Sequence, residues 1–172
     1  MDDRPRGSQT RGWRRLGRPR GSALTLAKEI MSETLPDEIK LNDLMFKALD
    51  HAVFSIEDNA ETLIPFSLTE DASGQRTLTR YVADRIEVGV EEGKKKIEAS
   101  KDQVVRYAFA YDGYLTLDGH RWEGLFVEAG DKVAATGVLL CQRYKRKKGW
   151  FKKGVEPFGN PVLVGTPPSR IK

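Results

Sequence analysis

The residues best suited to binding chemistry form a basic segment with interleaved aromatic rings between positions 143 and 153. Its candidate nucleic-acid-binding residues are Arg143, Lys145, Arg146, Lys147, Lys148, Trp150, Lys152 and Lys153. Cations neutralise phosphates and aromatic rings stack on bases, and single-strand binding depends on both contributions. The alternative interpretation is a solvated hairpin tip that turns at 147–149, where the charges protect a strand edge from aggregation. No RNA-binding signature accompanies the segment, so both interpretations stay open.

A histidine with nearby carboxylates is the second group whose side chains could do chemistry. His120 is accompanied in the sequence by Asp118, Glu123 and Glu128. On a strand, Asp118 and His120 point to one side and Glu123 to the other, which disfavours a concerted acid–base pair. Metal binding needs a third ligand, and the spacing of His51 does not link it to His120. A small hydrolase or nuclease centred on His120 is therefore the least favoured functional hypothesis.

Sequence signatures of other catalytic sites are absent from the chain. It has no phosphate-binding glycine loop, no Gly-x-Ser-x-Gly elbow, no Cys-x-x-Cys and no His-Glu-x-x-His. The single cysteine, Cys141, cannot form an internal disulfide, and the apolar run 138–141 around it indicates a buried structural thiol. We therefore predict neither a cofactor nor a metal site.

Two amphipathic segments predict the helices that position these residues. Apolar residues recur at helical spacing between positions 41 and 56, namely at Leu41, Leu44, Met45, Ala48, Leu49, Ala52, Val53 and Ile56. Asp58 and Asn59 then end this helix. A strand at 63–69 and a polar turn at 70–75 follow. A second helix is predicted from about Thr77 to Ser100, capped by Thr77 or Ser73, with Gly89 and Gly93 one turn apart where a neighbour can approach closely.

After position 102 the period changes to two, which indicates strands. Val105, Tyr107, Phe109 and Tyr111 alternate with smaller or charged residues. Asp112-Gly113 and Asp118-Gly119 are tight-turn signals. Further strands are predicted at 120–128 and 133–144, separated by a turn at 129–132. A last strand is expected at 162–164, after a turn at 157–161.

Helices followed by a run of strands predict an α+β fold, with two helices packed on one face of a mostly antiparallel sheet of four to six strands. The chain order is helix, strand, helix and then a β-meander. The strand 133–144 has apolar residues on both faces, which is typical of a central strand covered twice. Because no further helix is available for the second face, a protein partner or a second copy is expected to cover it.

The net charge of +4 is unevenly distributed along the 172 residues. Residues 1–30 contain seven Arg and one Lys against three acidic residues, so this arm carries +5 and the remaining chain carries −1. The arm is rich in Arg, Gly and Pro and is predicted to be disordered. It has three interpretations: a basic arm for nucleic acid, a targeting peptide, or an extension upstream of a true start at Met31. Residues 31–172 are predicted to form a single domain.

These observations lead to one favoured function and two alternatives. The first is a non-catalytic protein-interaction or adaptor domain, homodimeric through a sheet face. The second is a nucleic-acid-binding accessory protein that uses residues 143–153 and the arm. The third is the hydrolase or nuclease centred on His120. No run of 18 apolar residues exists, so we predict no membrane span and a cytoplasmic location.

Overall fold

The computed structural model describes residues 36–57, 62–147 and 154–172. The described residues form two helices, α1 (Asp37–Glu57) and α2 (Ile86–Ala99). The strands are β1 (Phe66–Asp71), β2 (Arg76–Arg80), β3 (Val104–Leu117), β4 (His120–Asp131), β5 (Val138–Arg146), β6 (Val155–Pro157) and β7 (Val162–Gly165). The α+β class and the predicted order of helix, strand, helix and then a β-meander are confirmed. The predictions for the arm 1–30, for a start at Met31 and for a helix end at 58–59 lie outside the described residues.

All seven strands pair antiparallel in one open sheet. The order is β2-β1-β3-β4-β5, and both β6 and β7 pair with the outer side of β5. β6 pairs with residues 144–146 of β5 and β7 with residues 139–141. The sheet therefore has more strands than the four to six predicted, because β2 and β6 were not expected. Among the described residues, neither helix has the length and apolar character needed to cross a membrane.

The amphipathic stripe of α1 is the main apolar contact of the first sheet face. Seven of its eight predicted residues are buried, with Leu44, Ala48 and Ala52 fully so, and Val53 is partly buried. They pack on residues that include Ala108 and Val127 from the two central strands. The small side chain of Ala108 lets the helix approach the sheet closely. Burial of each large side chain in this layer contributes about 1.5–3 kcal/mol to folding.

The second helix packs on the opposite face, so the prediction that both helices share one face is wrong. Tyr107 and Phe109 alternate along β3 with Ala108 and Ala110, and they point away from α1 into a second core. Gly93 of α2 allows close approach, because a Cβ there would overlap the ring of Phe109. The close packing expected at this glycine is thus present, but against the second face of the sheet.

The second helix also begins later than predicted. Residues 76–80 form β2, which pairs with β1 in a hairpin. Its turn is fixed by Asp71, whose Oδ1 accepts bonds from the backbone N–H of Ser73 and of Gln75. Ser73 and Thr77 are therefore turn and strand residues, not helix caps. The sequence Arg-Thr-Leu-Thr-Arg alternates with a period of two, and pairing with β1 decides in favour of a strand.

Of three predicted turns, one is confirmed, one lies within a continuous strand and one is displaced along the chain. Asp118 and Gly119 connect β3 and β4 with φ of 51° and 76°, as a two-residue hairpin loop requires. Gly113 instead lies inside β3, where the Phe126 ring packs 3.1 Å from the position a Cβ would occupy. The turn predicted at 129–132 is also displaced, because β4 continues to Asp131 and β5 begins at Val138 instead of 133.

Candidate functional site

The strands β4 and β5 bring together residues that are about twenty positions apart in the sequence. Gly124 pairs with Arg143 in the antiparallel register. Side chains alternate along each strand, so Trp122, Arg143 and Lys145 point to the same side of the sheet, the side on which α2 packs further along. Glu123 and Arg146 point to the opposite side. The two sides of this strand pair consequently present different chemistry.

An aromatic stack forms on the side of the sheet that carries Trp122. The ring centroids of Trp122 and Phe158 are 5.2 Å apart and their planes differ by 20°. Phe158 follows β6, and its backbone N–H donates a 2.8 Å bond to the carbonyl of Arg143. The buried side chain of Gln142 donates to the carbonyl of Gly159 at 3.0 Å. These bonds hold the loop that carries Phe158 beside β5.

Two cations lie beside the stacked rings. The Nζ atom of Lys145 is 3.5 Å from the centroid of Phe158. The Cζ atom of Arg143 is 5.1 Å from the same centroid and 5.5 Å from that of Trp122. Such cation–π contacts contribute about 0.5–1 kcal/mol at exposed sites. We call Trp122, Arg143, Lys145 and Phe158 the basic–aromatic surface.

The charge of Lys145 is not neutralised by an ion pair among the described residues. The register places Glu156 of β6 opposite Lys145, but no carboxylate lies within 4.0 Å of its Nζ in that part of the chain. His120 adds a ring at the edge of the surface, with its centroid 6.4 Å from that of Trp122. The arrangement can stack an unpaired base and neutralise a phosphate.

The structure divides the basic segment that the sequence presents as one patch. Arg143 and Lys145 belong to the basic–aromatic surface. Arg146 points to the other side of the sheet and forms a 2.8 Å ion pair with Glu123. Lys147 is the last residue of the described range 62–147. The remaining candidates lie outside the described residues, namely Lys148, Trp150, Lys152 and Lys153.

Sequence reasoning missed Trp122 and Phe158 as members of this surface. The sequence predicts only that Trp122 lies in the strand 120–128 and that Phe158 lies in the turn 157–161. The tight turn at Asp118-Gly119 is the signal that the sequence offers. It fixes the register of β3 against β4, but it does not determine the register of β4 against β5. The contact with Phe158 depends on a loop and could not be obtained from periodicity.

The carboxylates near His120 in the sequence are dispersed in the structure. Asp118 lies in the exposed hairpin loop, and Glu123 is paired with Arg146 on the other side of the sheet. Glu128 is buried, accepts a 3.0 Å bond from the Tyr107 hydroxyl and pairs with Arg170. Within the described ranges, no three His, Cys, Asp or Glu side chains are grouped so that they could hold a metal ion.

A cavity of about 530 Å³ lies at the free edge of β3, beyond the point where its pairing with β1 ends. Three tyrosines from the sheet line it, Tyr111, Tyr114 and Tyr144. Four carboxylates also line it, those of Glu87, Glu91, Asp112 and Glu123. The guanidinium group of Arg146 adds a single positive charge. We call this the tyrosine-carboxylate cavity.

Asp112 is the most deeply placed carboxylate of the tyrosine-carboxylate cavity. The hydroxyl of Tyr144 donates to its two oxygens at 3.0 and 3.1 Å. Burial raises the pKa of Asp112, and the bonds from Tyr144 and from the backbone N–H groups of Gly113 and Leu63 offset that rise only in part. Burial likewise raises the pKa of Tyr111 to about 12, so its phenol stays neutral at physiological pH.

Comparison with known proteins gives no assignment. No family model matches the chain, and no curated protein or solved structure is significantly similar to it. The geometry of the two sites is therefore the basis for a functional proposal.

Proposed function

We propose that the protein is a cytoplasmic nucleic-acid-binding protein that holds single strands on its basic–aromatic surface. The observation that supports this proposal is the Trp122–Phe158 stack with two cations beside it. Stacking of one base on such a ring contributes about 1–3 kcal/mol and tolerates any base. The unpaired Cys141 is compatible with a reducing compartment.

Single strands suit the surface better than duplexes. Trp122 projects from the face of a sheet, and a ring in that position reaches a base only when the base is unpaired and can leave its own stack. Lys145 and Arg143 beside the rings are positioned for the backbone phosphates that flank a stacked base.

Binding of a labelled oligothymidylate of about 12 nucleotides, followed by fluorescence anisotropy across a salt series, tests the proposal. We expect the affinity to fall as salt rises, and the equivalent duplex to bind more weakly. Lys145→Gln should weaken binding and reduce the salt slope by about 0.7, the contribution of one phosphate contact on a single strand.

The matched control is Lys101→Gln, an exposed cation just before β3 and therefore at the far end of that strand from Trp122. It should leave both the affinity and the salt slope close to those of the wild type. Absence of binding by the full chain at low salt, or equal effects of the two substitutions, would contradict the proposal.

The protein-interaction alternative has weaker support in the structure. That hypothesis assumed that one sheet face has no helix and is covered by a partner. In the structure α1 and α2 pack on opposite faces, so each face has a helix. The observation in its favour is the outer strand β7, where the apolar side chain of Leu163 is 61% exposed. Light scattering at micromolar concentration tests it: a dimer mass that Leu163→Lys converts to a monomer mass would support pairing through β7, and a monomer mass would contradict it.

A further inference from the structure

The tyrosine-carboxylate cavity is a feature of the fold that nucleic-acid binding leaves unexplained. Its volume of about 530 Å³ lies in the range of cavities that hold small organic ligands. Its net charge is negative, because four carboxylates face one guanidinium group. A phosphate or other polyanion would be repelled there. The lining of this cavity therefore favours a cationic ligand, whereas the basic–aromatic surface favours an anionic one.

Within the cavity, Asp112 differs from the other carboxylates in its partners. Glu123 pairs with Arg146, Glu91 with Lys94 at 2.9 Å, and Glu87 lies 3.6 Å from Arg85. Asp112 forms no ion pair with any described Lys or Arg; its partners are a phenol and backbone N–H groups. Holding a partly buried carboxylate without a cation is unfavourable for the fold, and such groups are concentrated at functional sites.

The aromatic lining supplies a second attraction for a cation. The faces of phenol rings carry partial negative charge and attract ammonium and guanidinium groups. Tyr114 shows this directly, because the Cζ of Arg121 lies 3.9 Å from its ring centroid. The tyrosine is 60% exposed, so much of its ring surface remains accessible. Ile86 and Val90 of α2 add apolar contact area to the same cavity.

From these contacts we propose that the cavity binds an organic ammonium ion with an apolar body, whose charged group pairs with Asp112 and lies against the tyrosine rings. The body of the ligand packs on Ile86, Val90 and Tyr111. A metal ion is a poorer fit, because the described residues contain no group of three metal-ligating side chains. The site is separate from the basic–aromatic surface and does not depend on the function proposed for it.

Isothermal titration calorimetry of the full chain with phenethylammonium tests this assignment, with 2-phenylethanol as a neutral probe of the same shape. We expect saturable binding of the amine and binding of the alcohol weaker by about tenfold or more, since a hydrogen bond to a charged group is lost. Asp112→Asn should weaken binding of the amine by a similar factor and leave binding of the alcohol unchanged.

Two further variants keep the outcome clear. Asp102→Asn removes an exposed carboxylate in the turn before β3 and should leave amine binding unchanged. Tyr114→Leu alters an exposed side chain, so it tests the cavity even if Asp112→Asn fails to fold; it should weaken amine binding. Equal affinities for the amine and the alcohol, no change in Asp112→Asn, or no saturation up to about 10 mM would overturn the proposal.

Discussion

The basic–aromatic surface and the tyrosine-carboxylate cavity contain neighbouring residues of the same two strands, but the first is basic and the second is acidic. Trp122 and Lys145 point to one side of the sheet, whereas Glu123 and Arg146 point to the other. On the first side the cations lie over aromatic rings and their charge stays available. On the second side the cation is neutralised by a carboxylate. The two-residue period of a strand therefore assigns residues adjacent in sequence to different sites.

The comparison shows why a count of charges along the sequence misleads. Residues 143–147 contain four cations, which suggests one strongly basic patch. Two of these five residues, Tyr144 and Arg146, face away from the aromatic rings, and Arg146 forms an ion pair with Glu123. The local electrostatics of each face follow from strand register and not from sequence density. Variants that affect one face and leave the other intact test this division.

The largest effect is expected when the aromatic stack is removed. Trp122→Leu should lower the affinity for an unpaired oligonucleotide by about tenfold to a hundredfold, since one ring for base stacking is lost. Binding of phenethylammonium should not change. Tyr114→Leu should show the reverse pattern, weaker amine binding with unchanged oligonucleotide binding. Fluorescence anisotropy and calorimetry on both variants measure the two affinities, and a variant that weakened both would show that the sites are not independent.

A smaller effect is expected on the free energy of unfolding, through the cavity residue Asp112. Because burial raises the pKa of Asp112 in the folded state, the stabilising contribution of this group is complete below its unfolded pKa and is lost as pH rises through its folded pKa. Asp112→Asn removes this pH-dependent loss, and its amide oxygen can still accept the bond from Tyr144. The free energy of unfolding of the variant should therefore rise relative to that of the wild type as pH increases.

Urea unfolding of both proteins from about pH 3 to about pH 7 measures that difference. Asp102→Asn is the control, an exposed carboxylate that should give a nearly constant difference. A variant that becomes less stable than the wild type as pH rises would mean that ionised Asp112 contributes favourably to the fold, contrary to the direction expected from its burial.

The smallest effect is expected at Arg146. If the sheet separates the two sides, Arg146→Gln should change oligonucleotide affinity by less than about twofold, because its charge is paired with Glu123 and directed away from the rings. Lys145→Gln, one position earlier, should have the larger effect. Equal losses in the two variants would indicate that the segment binds as a single patch, as the sequence alone suggests.

The sequence predicts α1 accurately because its stripe is long and has only one period that fits. The secondary-structure prediction is wrong between positions 76 and 85. Leu78 and Val82 fit a helical spacing there, but Arg76–Arg80 also alternates as a strand. Pairing with β1 makes this segment a strand, and the local sequence pattern does not show which strands will pair. Gly113 is a similar case, since a turn signal is overridden by the Phe126 ring that packs on it.

The candidate sites were predictable to a lesser degree. The sequence shows the residue types of the basic segment, but their division between the two faces requires the register of β5. The Trp122–Phe158 stack required the position of a loop after β6. Asp112 was interpreted as a turn residue, so its place in the cavity was missed. Its contact with Tyr144 joins strands β3 and β5, which are not neighbours in the sheet.

The hydrogen bonds of Gln142 have a further consequence for recognition. Its amide donates to the carbonyls of Arg143 and Gly159, and thereby fixes the loop that carries Phe158 before any ligand is present. A ligand that stacks on these rings does not have to order that loop, so little conformational entropy is lost on association. The platform is preorganised, and its association rate should be limited by diffusion and charge rather than by loop rearrangement.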